Sequence, residues 1–301
     1  MMLSPITAFE GAAFTFDFPG LSIGVAEYEE GPTGCTVFHF DPGVSFAADV
    51  RGGSVGQVHA DIGFADAICF AGGSLLGLEA ASGVAAGLHA RRGHEHTEWT
   101  DVPVVPGAII FDFGLRTNGI YADAVLGRAA IDAAKPGVFP LGRRGAGRNA
   151  SVGKAIEFTM AEAAGQGAAM RQAGPARLVA FVVLNSLGAI FDRAGALIRG
   201  NQRPDGTRVP FGGAGDPRPG NTTLTLVVTN LKATLPQLEQ AARQAHASMA
   251  RAIQPFHTEL DGDVLFFATT NAIDHPPLLA PAALGTLAGE TIWDAVLAAF
   301  P

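Results

Sequence analysis

The apolar positions along the chain change period several times. "TFDFPGLSIGVAEY" (Thr15–Tyr28) and "TGCTVFHF" (Thr33–Phe40) are short apolar runs between Gly-rich turns, and they predict strands. The segment from Asp61 begins extended and turns helical. From Gly73 to Arg91 small residues and leucines recur at helical spacing, which predicts a buried helix with close neighbours. "PGAIIFDFG" (Pro106–Gly114) predicts a buried strand. Ala176–Gly195 predicts a hairpin, with two β-rich runs about a turn at Asn185-Ser186-Leu187-Gly188.

Ile198–Asn221 is rich in Gly and Pro and has almost no periodicity, which marks a long functional or disordered loop. The pattern then sharpens. "TLTLVVTN" (Thr223–Asn230) and "DVLFFATTN" (Asp263–Asn271) predict strands. Thr234–Pro255 predicts an amphipathic helix with Thr234 as N-cap, and Pro281–Phe300 a closing helix. Strands and helices interleave, but the turns suit antiparallel pairs. Mixed α/β layers are therefore expected rather than a doubly wound parallel sheet.

Composition narrows the function classes. A chain of 301 residues with 48% hydrophobic and 16% charged residues can build a substantial core. Its net charge of −8 and lack of a basic run argue against a nucleic-acid surface. No uncharged apolar segment reaches membrane-spanning length, and the N-terminus lacks the basic start of a signal peptide, so a cytoplasmic location is the default. Cys35 and Cys69 have neither metal nor redox spacing and are expected to be inert buried thiols.

Several motifs fail on inspection. "GAGRNASVGKA" (Gly145–Ala155) approaches a phosphate-binding loop, but Arg148 and Ala155 stand where Gly and Ser or Thr are required. No dinucleotide-binding G-x-G-x-x-G frame exists. His94 and His96 have no third ligand at metal spacing, and a solvated turn is expected there. Ser74 in "GGSLLG" lacks the nucleophile-elbow pattern. No metal or organic cofactor is implied.

"PGNTTLTLVVTN" (Pro219–Asn230) has two readings. It is an ordinary start of a strand, or Thr222 is a nucleophile exposed by cleavage after Asn221. An N-terminal threonine carries its own base, since an α-amine of pKa about 7.7–8.0 can accept the hydroxyl proton. On residue pattern alone Lys154 could equally be a surface lysine, Asn185 a turn residue and "DGD" (Asp261–Asp263) a hairpin turn.

The chain resembles the nylon-oligomer hydrolases (6-aminohexanoate-oligomer endohydrolases), within the N-terminal-nucleophile L-aminopeptidase/D-esterase and β-aminopeptidase family. The resemblance rests on "FDFPGLSIGVAEYEEGPTG", "AICFAGGSLLGLEAASGV", "LGRAA", "NASVGK", "GQGAAMR", "DRAGALIRGN", "GNTTLTLVVTN", "ASMARAIQPFHTELDGDVLF" and "IWDAVL", which follow one another from Phe16 to Leu297. It implies an αββα sandwich with mixed or antiparallel sheets and Thr222 at the edge of a central sheet. It implies one amidohydrolase domain over 1–301 that cleaves itself into 1–221 and 222–301. It implies Thr222 as nucleophile, with Lys154, Asn185, Asp261 and Asp263 as its active-site partners.

Within that family, Thr222 with Asp261 and Asp263 resembles the nylon-hydrolase branch, since the aminopeptidase branch tends to a serine and a Ser/Glu pair. On this reading Asn185 donates to the oxyanion and the aspartates hold the Thr222 amine and Lys154. The substrate is a linear amide oligomer, and the cleaved units form a homo-oligomer, by resemblance a tetramer. Phe111 departs from the family, standing where nylon hydrolases carry a tyrosine near the substrate. Leu75-Leu76 replaces a smaller Gly-aromatic pair. The alternatives are an aminopeptidase on the same scaffold and an uncleaved, non-catalytic ligand-binding or structural protein.

Overall fold

The computed structural model describes residues 3–95, 98, 101–210, 220–276 and 280–301 of the uncut chain. Its principal elements are β1 (Leu21–Tyr28), β2 (Thr33–Arg51), β3 (Phe64–Ala71), α1 (Glu79–Arg91), β4 (Gly107–Ile109), α2 (Ala124–Asp132), β5 (Gln166–Ala173), β6 (Ala176–Asn185), β7 (Thr222–Leu231), α3 (Leu235–Ser248), β8 (Asp263–Ile273) and α4 (Leu284–Leu297). The strands hydrogen-bond in the order β5-β6-β7-β8-β2-β3-β4, with β1 on the first half of β2. All these pairs are antiparallel except β7 with β8 and β3 with β4. The mixed α/β layers expected from the turn chemistry and the mixed sheet that the resemblance implies are both present.

One long strand makes two layers out of this hydrogen-bonded path. The first part of β2 pairs with β1 and β3, and its last part, Ser45–Arg51, pairs with β8. The register slips between His39 and Val44, around Asp41-Pro42-Gly43. Rings of the two halves then face each other. Phe38 of β2 meets Phe181 of β6 at 5.0 Å, and Phe70 of β3 meets Phe266 of β8 at 6.1 Å. Alternation sends neighbouring residues outward. Ala180, Val227 and Phe267 pack beneath Leu238 and Ala242 of α3 and Ile292 of α4. Val37 and Cys69 pack beneath Val84 of α1 and Leu126 of α2. The layers are therefore helix, sheet, sheet, helix.

The small residues of the first helix pair have a steric reason. A Cβ on Gly83 would lie 2.0 Å from the Ala124 carbonyl oxygen, and one on Gly127 would lie 2.0 Å from that of Ala80. Only glycine lets α1 and α2 cross so closely, which offsets its poor helix propensity. α3 begins at Thr234, whose N–H donates to Gln237 Oε1 at 2.8 Å. Cys35 and Cys69 are both free and buried, and the contact with Cys69 together with burial holds the Cys35 thiol well above its usual range.

Three expectations need correction, the first being the helix predicted over Thr234–Pro255, which ends at Ser248 and gives way to a 3₁₀ turn at Met249–Arg251 and a strand at Ile253–Gln254. Secondly, Ala176–Gly195 is not a hairpin: β6 ends at Asn185, and Ala189–Phe191 joins a separate small sheet with Leu197–Arg199 and Ile253–Gln254. The turn's polar groups bind elsewhere. The Gly188 carbonyl accepts from Gly153 N–H at 2.9 Å and the Leu187 carbonyl from Lys154 N–H at 2.8 Å, so the chain leaves the sheet instead of reversing. Thirdly, the strand at Pro106–Gly114 stops at Ile109, and a 3₁₀ turn follows at Phe113–Leu115. Within the long loop, Gln202 bridges to Arg208, and residues 211–219 lie outside the described residues. His94 is exposed with φ 57°, and His96 lies outside the described residues. No helix among the described residues is long and apolar enough to cross a membrane.

Candidate active site

Thr222 heads β7, a central strand flanked by β6 and β8, so it sits at a strand's end within the sheet rather than on an edge strand. On one side, register pairs it with Asn185, the last residue of β6. On the other, Asn221 forms a parallel bridge with Asp261 just before β8 begins. The topology thus gathers at one end of three strands residues 37 (Asn185), 39 (Asp261) and 41 (Asp263) positions from Thr222 in sequence, together with Lys154, 68 positions away. All five proposed catalytic residues, Lys154, Asn185, Thr222, Asp261 and Asp263, are buried.

The Thr222 hydroxyl donates to the carbonyl oxygen of Asn221 at 2.6 Å. That same oxygen accepts from the Gly262 N–H at 2.7 Å. Lys154 Nζ donates to Asn185 O at 3.0 Å and to Asn185 Oδ1 at 3.1 Å. Asn185 Oδ1 also accepts from the Ser151 N–H at 3.2 Å, which fixes the amide orientation. The Asn185 Nδ2 group then donates to Phe111 O at 3.0 Å and to Gly220 O at 3.3 Å.

The aspartates have different surroundings. Asp261 accepts from Leu187 N–H at 3.2 Å through Oδ1, and from the Thr258 N–H at 3.0 Å and hydroxyl at 2.7 Å through Oδ2. Asp263 accepts from Thr223 N–H at 2.6 Å, and its other oxygen lies 2.9 Å from His257 Nδ1. The second carboxylate therefore contacts the peptide after Thr222. Burial pushes Asp263 up to about 6, against the lowering effect of His257. Burial pulls Lys154 down to about 7, with the nearby Asp261 charge opposing it.

A cavity of about 320 Å³ opens beside these groups, lined by Phe111, Phe113, Phe158, Lys154, Asn185 and Asn221 among others. Phe111 and Phe113 meet edge to face at 5.4 Å. The carboxylate on this wall, Asp112, is not available to a ligand. It pairs with Arg116 at 2.6 Å and accepts from the Thr33 hydroxyl at 2.7 Å and the Gly73 N–H at 2.9 Å. Leu75, Leu76 and Ser74 do not line this cavity, and both leucines are exposed. Among the described residues no cluster of three or more His, Cys, Asp or Glu could hold a metal.

Sequence reasoning left out three participants. Ser151, in "NASVGK", and His257, in "FHT-x-x-DGD", lay inside stretches already singled out, yet neither contact leaves a mark in the sequence. Gly262, between the two aspartates, contributes through its backbone.

Similarity to known proteins agrees with this geometry. Residues 15–300 match peptidase family S58. The chain is 44% identical to the 6-aminohexanoate-oligomer endohydrolase of Paenarthrobacter ureafaciens, covering 99% of this chain and 88% of that protein. It is 33% identical to an uncharacterised aminopeptidase of Mycobacterium leprae, over 80% of this chain and 72% of the other. Among solved structures, the L-aminopeptidase D-Ala-esterase/amidase of Ochrobactrum anthropi, described as a variant of the Ntn hydrolase fold, superposes with a TM-score of 0.68 at 16% identity, covering 97% of this chain and 88% of that one. A Burkholderia β-aminopeptidase gives 0.66 at 16% identity, over 96% and 88%. An amide hydrolase on the αββα Ntn scaffold, the chain belongs to peptidase family S58.

Proposed function

We propose that this amide hydrolase is a self-processing N-terminal-threonine enzyme, cut between Asn221 and Thr222, that hydrolyses amide bonds of 6-aminohexanoate oligomers. The observation that carries the reading is the Thr222 hydroxyl, buried at the head of a central strand and bonded to the carbonyl of the peptide it would cleave. Attack there moves the Asn221 acyl group onto Oγ. Water then releases it, leaving Thr222 with a free amine as its own base. Lys154, which burial pulls down to about 7, can exchange a proton at the site near neutral pH. In turnover the same Oγ attacks the substrate amide, and water resolves the acyl-enzyme.

The substrate class is supported by the relatives named 6-aminohexanoate-oligomer endohydrolase and by the three phenylalanines of the cavity, which suit a methylene chain. The engaged state of Asp112 favours internal cleavage over an aminopeptidase activity, because that carboxylate is not open to a substrate ammonium. Exposed Leu75, Leu76 and Val125 suit a homo-oligomer of cleaved units. The two unpaired buried thiols suit a reducing, cytoplasmic location.

Denaturing electrophoresis with N-terminal sequencing tests the processing. Two bands are expected, the smaller beginning Thr-Thr-Leu, and Thr222→Ala should remain a single inactive chain of 30.9 kDa. A Thr222→Ala protein that still hydrolyses amides removes the nucleophile assignment. Capped and uncapped linear 6-aminohexanoate oligomers separate the substrate readings. Cleavage that requires a free amino terminus would favour the aminopeptidase.

A further inference from the structure

We infer that in self-cleavage the backbone N–H of Gly262 is the oxyanion donor, while Asn185 holds the carbonyl one residue upstream. The inference rests on the proposed processing at Asn221–Thr222 and goes beyond it by assigning the group that stabilises its transition state. The Asn221 carbonyl oxygen accepts from the attacking hydroxyl at 2.6 Å and from Gly262 N–H at 2.7 Å. The hydroxyl becomes the nucleophile and gives up its proton during the step. The Gly262 N–H stays, already at the distance an oxyanion donor needs.

Asn185 is placed differently. A primary amide has two hydrogens to donate, and those of Asn185 point to Phe111 O and Gly220 O. Its oxygen is taken by Ser151 N–H and Lys154. The side chain therefore fixes the strand end just ahead of the cut, and the carbonyl it reads belongs to Gly220.

The position of Gly262 follows from the sheet. β7 and β8 run parallel, and the Asn221–Asp261 bridge extends their ladder by one step beyond Thr222. The scissile carbonyl is thus aimed at a backbone donor on β8's approach. A Cβ at 262 would lie 2.3 Å from Ser54 O, so this chain approaches its neighbour at glycine distance. The buried aspartates on either side are anchored by Leu187, Thr258, Thr223 and His257, which holds the peptide between them still.

The step balances. Thr222 Oγ bonds to the Asn221 carbonyl carbon, and its oxygen takes negative charge against Gly262 N–H. The C–N bond then breaks, its electron pair leaving with the Thr222 nitrogen, which takes up the proton lost by the hydroxyl. Water hydrolyses the resulting ester to the Asn221 carboxylate and a free Thr222 hydroxyl.

The test replaces the Asp261–Gly262 amide with an ester, by cell-free translation of the full chain with glycolic acid at position 262. This removes the N–H and almost nothing else. Appearance of the two fragments is timed on denaturing gels against the all-amide chain. Loss of one oxyanion donor should slow cutting about 10²–10³-fold, and a rate within threefold of the all-amide chain overturns the assignment. An all-amide chain that never cuts shows instead that the processing reading has failed, and this assignment with it. As an independent measurement, hydrogen exchange of the Gly262 amide should be protected in uncut Thr222→Ala protein and faster in cut wild type. Free exchange in the uncut chain also overturns the assignment.

Discussion

Lys154 offers a stability prediction of unusual sign. Its ammonium is buried, and its folded-state value of about 7 lies well under the ordinary 10.5. Between those values the unfolded chain binds more protons than the folded one, so this group's contribution to stability rises with pH across the window. Those two values put the cost of burying Lys154 at about 4 kcal/mol at pH 7 and about 2 kcal/mol at pH 9. Replacing it by methionine, of similar length and no charge, removes that cost. It also removes the hydrogen bonds to Asn185 O and Oδ1, a loss of about 1–3 kcal/mol together. Lys154→Met should therefore stabilise the fold by about 1–3 kcal/mol at pH 7 and by about 2 kcal/mol less at pH 9. The comparison is made by urea denaturation in the Thr222→Ala background, where both proteins are uncut and every other titration is shared. An equal stability gap at the two pH values would refute the assignment of Lys154 as a group buried at the expense of its charge.

Other consequences are read more directly. His257 has φ 59°, so His257→Asn keeps a residue that tolerates this backbone but is too short to reach Asp263. Losing the contact that lowers Asp263 should move the acid limb of the pH–rate profile, expected near 6, to higher pH, whereas an unmoved limb shows that Asp263 ionisation does not control the rate. Phe111→Tyr adds a hydroxyl to the cavity lining; kcat/KM on a linear oligomer should rise, and an unchanged value means that position 111 does not orient substrate. Arg116→Ala strands the buried Asp112 carboxylate and should cost about 3–5 kcal/mol in denaturant titrations, against a loss under 1 kcal/mol if the pair were merely a surface contact.

The fold and the site were legible to different depths. Short apolar and β-rich runs marked β1, β6, β7 and β8, because each is buried on both faces over most of its length. The hairpin at Asn185–Gly188 was misread because a turn signature does not say where the strands on either side find their partners. Gly153 and Lys154, from a segment more than thirty residues away, decided that by donating to the carbonyls of Gly188 and Leu187. The two-layer arrangement depends on the slip in β2 near Asp41-Pro42-Gly43, a local irregularity with a global effect. Lys154, Asn185, Thr222, Asp261 and Asp263 could be named together only through family resemblance, since each has an ordinary structural use in isolation.

The least legible group is the one the proposed self-cleavage leans on most. An N–H is carried by every residue but proline, so no residue type at position 262 could announce an oxyanion donor. What singles out Gly262 is register: a parallel pair of strands brings its peptide opposite that of Asn221. The same register explains why the chain would cut after Asn221 rather than at the next threonine. Thr223 presents its N–H to Asp263, and its side chain turns to the other side of the strand. The Thr222 hydroxyl reaches back to the carbonyl that Gly262, just before β8, already polarises. On the proposed reading, choice of the bond is a property of the sheet, and the threonine supplies the reactivity. Moving the nucleophile by one residue, as in Thr222→Gly with Thr223 retained, should abolish cutting on denaturing gels. A cut before Thr223 in that variant would show that sequence, and not register, selects the bond.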